Sequence, residues 1–561
     1  MAAHDLIIRG GTVLDGTGGP ARTADVAIAD GVVTEVGRVD GAAVQELDAD
    51  GLLVTPGLVD IHVHYDGQAT WDQRLIPSAW HGVTTVVAGN CGVGFAPVRP
   101  ADHDRLIQLM EGVEDIPGAA LHEGLPWTWR SFPEFLDALD GRAYDVDLAT
   151  HVPHGALRLH VMGERGAQRE PATPDDIEAM ATLAGQAVAA GAIGFSTSRT
   201  RNHRSSTGEH TPSLTAEADE LLGIARAVGA TGSGVLQAVS DFDDVDAEFA
   251  LFRAMAEASG RPLSFSLAGV DPEKYPRQLA LLDEANAAGV PMRGQAAARA
   301  IGILVGLQCT VNPLAGNPVW QEIARLPVPE QARAMGEPSF KERFLAAAKP
   351  LGGADRMFEL GDPPDYEPDP HTSVAARAAR EGRDPLDLAY DLFAKDEGRT
   401  FLYVPIINWF DDTLDAVGEM LAHPHTVPGL SDGGAHVGTI CDASFPTTFL
   451  AHWGRDRDHG RLELPYLVRQ HTRDTAETVG LLDRGILAPG YRADVNLIDF
   501  DALRPRLPEM RHDLPAGGKR LLQRADGYVA TIVRGQVTYE RGEATDALPG
   551  RLIRGARPAP T

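Results

Sequence analysis

The sequence predicts an α/β protein, a (β/α)8 TIM barrel carrying a small β-sandwich built from both chain ends. Three observations point there. Eight apolar strand-like runs alternate with Ala/Leu-rich amphipathic stretches through the middle of the chain. Short β-type runs separated by Gly and Asp turns occupy both ends. A long segment with Pro and charge clusters interrupts the alternation before its last strand.

Residues 1–56 contain LIIRG, ADVAIA, VVTEVG and LLVTPG, which cannot close a core alone. Matching runs appear as ADVNLIDF (493–500) and YVATIVRGQVTYERG (528–542), so 1–56 and 483–545 are expected to pair as one composite sandwich. The barrel is expected over 57–482. Its strands are GLVDIHVH (57–64), TTVVAGNC (84–91), VDLATHVP (146–153), AIGFSTS (192–198), GVLQAVS (234–240), LSFSLAG (263–269), PMRGQAA (291–297) and TVPGLSD (426–432). Helical patterns at 174–191 and 215–229 have suitable lengths, the first behind the cap-like Thr173. The segment around 301–424 is expected to be a lid-like insertion over the barrel mouth. Residues 546–561 are expected to be a tail, with its Pro/Ala end RGARPAPT disordered.

Composition excludes several classes of function. The 50 Lys+Arg against 79 Asp+Glu give a formal net charge of -29, which repels nucleic-acid phosphates and anionic membranes. Cys91, Cys309 and Cys441 are too few and scattered for a disulfide framework, which indicates a reducing compartment, the cytoplasm by default. The opening residues lack the charged start and apolar core of a signal peptide. No apolar run approaches the roughly 20 residues that span a bilayer. Gly-rich phosphate motifs are absent, since GGTVLDGTGG has no Walker lysine.

The strongest chemical signal is TPGLVDIHVHYD. His62 and His64 are two apart at the end of a buried strand, so both imidazoles face the barrel axis at its C-terminal mouth. Two neutral imidazoles suit Zn²⁺ or a similar divalent ion. The alternative is a hydrogen-bonded core pair, against which stand the Pro-Gly lead-in and the following acid. Asp432 in GLSDGGAH lies at the end of the eighth strand, where a carboxylate can bind the ion and accept the proton of the attacking water. Read locally, it is an Asp in a Gly-rich turn.

RGGTVLDGTG, TPGLVDIHVHYD, GVTTVVAGNCGVGFAPV, GFSTS, GLSDGG and RGILAPGYRADVNLIDFD together resemble the N-acyl-D-amino-acid deacylase (D-aminoacylase) branch of the amidohydrolase superfamily, over nearly the whole chain. The resemblance implies a metal-dependent hydrolase that cleaves a C–N amide bond of a small molecule with metal-activated water. It also implies that Cys91, in the branch-specific Asn-Cys-Gly, is a metal ligand. The implied metal set is then His62, His64, Cys91 and Asp432, with Asp432 also catalytic. His154, in a segment similar to the family's Gly-His-Gly, is expected near substrate.

The chain departs from that branch at two places. Its fifth strand, GVLQAVSDF, and sixth, PLSFSLAGVD, lack the family's two histidines, and Gln237, Ser240 and Ser266 stand there instead. These are weak ligands, so one divalent ion per chain is expected, and Gln237 and Ser266 are assigned to substrate. No arginine follows the Asp-Gly to grip a substrate carboxylate; Arg199, in SRTRNHRSSTGEH, is the substitute considered, and His436 is a further neighbour of Asp432. Hydrolysis of a cyclic amide, imide, lactone or carbamate stays open, as does a non-catalytic binding protein with a decayed metal site. A homo-oligomer is compatible with such a barrel.

Overall fold

The computed structural model describes residues 4–561. Eight parallel strands form one sheet in chain order: Leu58–Asp60, Val83–Ala88, Asp147–Pro153, Gly194–Arg199, Val235–Ser240, Leu263–Ser266, Met292–Ala296 and Thr426–Pro428. All eight expected runs are present. The sheet closes where Val63 bridges Gly433 in parallel, with His64 N–H donating to Gly433 O at 2.8 Å and Asp432 N–H to His62 O at 3.0 Å. Closure thus brings the two histidines of the first strand against the aspartate of the last.

Helices cover the sheet for the reason their sequence suggests. In Pro174–Ala190 the Thr173 hydroxyl accepts from Asp176 N–H while Asp176 reaches back to Thr173 N–H, a capping box ahead of a proline first turn. Its buried face is Met180, Ala184, Ala187 and Val188. The next helix, Ala218–Ala230, buries Leu221, Ile224, Ala225 and Val228 at the same spacing.

Strands from both chain ends share a nine-stranded sheet, in which Leu53–Pro56 pairs parallel to His4–Val13 and antiparallel to Val495–Ile498. Val13, Val26, Ile28, Val54, Val495, Leu497 and Ile532 form its apolar face. The segment between the seventh and eighth barrel strands has its own antiparallel sheet, Ile301–Val305, Leu402–Ile407 and Phe358–Glu359, and its own core around Trp320, Phe344, Tyr390 and Phe393. It is a folded cover, fastened to the barrel by Glu367. That carboxylate accepts from His452 at 2.8 Å and from Arg457 at 2.8 and 2.9 Å.

The last residues correct the sequence expectation. They are ordered, with Gly550 bridging Tyr144, Leu552 bridging Leu148 and Arg557 bridging Leu481. Leu552 and Ile553 are buried, and Arg554 pairs with Asp137 and Asp140. The two apolar side chains that anchor this stretch precede the Pro/Ala-rich end, whose composition alone suggested disorder.

Candidate metal centre and active site

His62 and His64 project from the end of the first strand, and each is 2 % exposed or less. Their orientation is fixed from behind. Gln295 Oε1, on the seventh strand, lies 2.6 Å from His62 Nδ1, and Gln295 Nε2 donates to Ser264 Oγ at 2.9 Å. This holds a proton on Nδ1 and leaves Nε2 as the free lone pair, the arrangement of a metal-ligating histidine. His64 Nδ1 lies 3.3 Å from Glu114 Oε1. The forward nitrogens converge: Asp432 Oδ1 is 3.5 Å from His62 Nε2 and 3.6 Å from His64 Nε2, and Cys91 Sγ is 3.3 Å from His62 Nε2.

Cys91 is aimed by its backbone. It sits at φ 55°, and the turn is clamped by Asn90 Nδ2 donating to Val87 O (2.7 Å), by Cys91 N–H donating to Gln237 Oε1 (3.1 Å) and by Gly92 N–H donating to Ser196 Oγ (3.0 Å). Gly89 before it is also left-handed, and a Cβ there would meet His151 O at 2.4 Å. Asp432 and His436 likewise have positive φ, 46° and 51°. Non-glycine residues held in this region concentrate at functional sites, because the surrounding fold must impose them.

The donors fit a divalent cation. Ligand atoms of His62, His64 and Cys91 all lie within 4.8 Å of one another. Asp432 Oδ1 is buried without a hydrogen-bond partner, although it faces two imidazoles. Burial alone would raise the Asp432 carboxyl, but the close approach of the His64 ring, with His62 and His436 nearby, holds it well below the usual carboxylate range. Burial also pushes the Cys91 thiol up to about 12 and His62 down to about 4. His62 is therefore a neutral donor, and the thiol needs a cation beside it to ionise.

These groups open onto a cavity of about 530 Å3. One wall is apolar, formed by Val239, Phe242 and Leu267 of the barrel and by Ile301, Ile407 and Phe410 of the cover. Ser240 and Ser266 also line it, and Ser266 Oγ is buried and unpartnered. Lys274, at the start of the helix after the sixth strand, enters the cavity and donates to Asp241 O at 3.2 Å. It makes no ion pair among the described residues.

Of the residues expected at the site, the structure brings together His62, His64, Cys91, Asp432 and Ser266. Gln237 stands behind Cys91 as a clamp on its backbone, away from the cavity wall. His154 is displaced from the expected role, because its ring is fully buried between Thr197 Oγ1 and Glu220 Oε1, each 2.8 Å away. Arg199 is also displaced: it pairs with Glu248 and donates to Ala216 O at 2.7 Å. Arg299, another cation near the seventh strand, is spent on Asp442 at 2.9 Å and stacks on Tyr366.

Glu114, Gln295 and Lys274 are absent from the sequence-based set. Glu114 left one signal, since it follows Ile107 and Met110 at i+7 and i+4 on the buried face of His103–Glu114, where an acid has no reason to be without a partner.

The profile of the amidohydrolase family matches residues 45–349 and 387–539. This chain belongs to that family. It is 33% identical over 229 residues to the D-aminoacylase of Alcaligenes xylosoxydans xylosoxydans, covering 41% of this chain and 43% of that enzyme, so this match spans less than half the relative's length. It is 28% identical over 519 residues to the N-acyl-D-glutamate deacylase of the same organism, covering 90% and 88%. The crystal structure of N-acyl-D-glutamate deacylase from Bordetella bronchiseptica, complexed with zinc and a phosphonate inhibitor, superposes with a TM-score of 0.65 at 24% identity, covering 98% and 99%. That last likeness speaks to the fold.

Proposed function

We propose that this amidohydrolase cleaves the C–N amide bond of an N-acyl amino acid or a close analogue, with zinc as its metal. The observation that carries the reading is the convergence of ligand atoms of His62, His64 and Cys91, with the unpartnered Asp432 Oδ1 facing both imidazoles, at the floor of a cavity. A bound divalent ion supplies carbonyl polarisation and lowers the pKa of water toward ~7.

The chain's own groups do the rest. Asp432, ionised at neutral pH, is placed to take the proton of the attacking water and return it to the leaving amine. The cover and the apolar wall offer a surface that receives an acyl or side-chain hydrocarbon. Lys274 offers a positive group for a substrate carboxylate, in place of the arginine that this sequence lacks. The names of the relatives, a D-aminoacylase and an N-acyl-D-glutamate deacylase, support the same substrate class.

The test is a screen of zinc-loaded protein across N-acyl-D- and N-acyl-L-amino acids, cyclic imides and lactones. Preferred turnover of an N-acyl amino acid with an apolar portion is expected. Turnover confined to cyclic imides or lactones would overturn the acyclic assignment.

A further inference from the structure

We propose that His203 is a further catalytic residue: its Nε2–H donates to the scissile carbonyl oxygen as that atom becomes the oxyanion of the tetrahedral intermediate. The inference rests on the hydrolase reading of this site.

His203 lies in the loop that leaves the fourth barrel strand, Gly194–Arg199, and lines the cavity with His62, His64, Cys91 and Asp432. Its ring is held from the strand side, where Ser198 Oγ is 2.9 Å from Nδ1. Ser198 is fully buried, and its hydroxyl has no other hydrogen-bond partner among the described residues. A serine hydroxyl carries one proton, and giving it to Nδ1 satisfies both atoms and leaves the ring proton on Nε2. That nitrogen has no partner among the described residues, and the ring is partly exposed where it meets the cavity.

The loop is built to hold this position. Thr200 Oγ1 and Arg201 N–H both donate to the Asp241 carboxylate beyond the fifth strand, and Ser206 N–H donates to Gln108 O at 2.8 Å. Thr211 N–H closes the loop on His203 O at 3.2 Å. Against helix His103–Glu114 the loop packs backbone to backbone: a Cβ on Gly112 would meet Ser205 C at 2.1 Å, so glycine is what permits the approach.

The surroundings of the ring suit a neutral donor. Burial and the imidazoles of His64, His436 and His62 push its pKa down to about 3, against the pull of Asp432. With Nδ1 occupied by Ser198, the uncharged ring has no lone pair left to compete for an ion. Its N–H gains instead as negative charge builds on the carbonyl oxygen, which is where a fixed donor accelerates acyl transfer.

Zinc-loaded wild type, His203→Ala, His203→Asn and His203→Gln, compared on the best N-acyl amino acid of the screen, test the proposal. His203→Ala is expected to lose about 100- to 1000-fold in kcat, with KM within about threefold and bound zinc unchanged. Gln places an amide N–H near the position of Nε2 and is expected to regain at least about tenfold over Ala, whereas Asn, whose amide reaches only the Nδ1 position, is not. A phosphonate analogue of the tetrahedral intermediate is expected to bind more weakly to His203→Ala by the factor that kcat/KM falls, while the product amino acid binds as before. Loss of zinc, a rise in KM in place of the fall in kcat, Gln and Asn variants that behave alike, an unchanged phosphonate affinity, or a His203→Ala turnover within about threefold of wild type would each overturn this role and leave the hydrolase reading standing. A wild type that cleaves no N-acyl amino acid would remove that reading and this inference together.

Discussion

Gln295 Oε1 lies 2.6 Å from His62 Nδ1, joining the seventh barrel strand to the first. The bond decides which nitrogen of His62 is free, and Ser264 anchors the amide in turn. Removing such a partner of a ligating histidine typically lowers metal affinity about 10- to 100-fold. Gln295→Ala is expected to do so, measured by chelator competition, while the far-ultraviolet dichroism stays unchanged. Unaltered affinity would show that the closed barrel alone orients the ring.

Asp432→Asn is expected to abolish turnover with the fold intact, because the amide keeps the shape and cannot take a proton. Its thermal unfolding without metal should match the wild type within a few degrees. Near-native activity would remove Asp432 from proton transfer.

Much of this centre was legible in the sequence because strand periodicity is short-ranged. Two histidines at i and i+2 must share a face, and an acid at the end of the last strand must meet the first strand once the barrel closes. Gln295 and Glu114 reach the same point from elements far apart in the chain, and no local pattern announces which polar residue will stand behind an imidazole. His154 and Arg199 fail for the converse reason. Their positions at strand ends suited a site, but Glu220 and Glu248, on the helices after the fourth and fifth strands, claim their charged groups. The ordered C-terminus was hidden by composition, since Leu552 and Ile553 are only two apolar residues beside a Pro/Ala-rich end.

Lys274→Met is expected to raise KM for substrates that carry a carboxylate by roughly tenfold or more, the scale of a lost charge-assisted hydrogen bond. The corresponding neutral amides should be little affected. An equal effect on both substrate types would place Lys274 outside carboxylate recognition.

Glu367 ties the cover to the barrel. Burial would raise its carboxyl, but hydrogen bonds from His452, Arg457 and the Leu414 amide bring it down to about 2. A carboxylate depressed in the folded state contributes stability that is fully present above its unfolded pKa of about 4.3 and is lost as pH falls toward 2. Glu367→Gln should cost about 2 to 3 kcal/mol at pH 7 and flatten the acid limb of the stability profile between those values. A variant with the wild-type acid limb would show that Glu367 is not the fastening.

Deleting 550–561 should destabilise the protein by on the order of 3 to 5 kcal/mol, from the exposure of apolar surface that Leu552 and Ile553 cover. Thermal unfolding reads this directly, and an unchanged midpoint would mean that the terminus packs without contributing.

The most direct measurement is hydrolysis followed while zinc is titrated into the stripped protein, with bound metal counted in parallel. Activity toward an N-acyl amino acid is expected to be absent from the stripped protein, to rise with the first equivalent bound, and to be missing from Asp432→Asn at every zinc concentration. Undiminished hydrolysis by stripped protein, or a fully loaded centre with no hydrolysis of any amide in the screen, would contradict a metal-dependent amidohydrolase centred on His62, His64, Cys91 and Asp432.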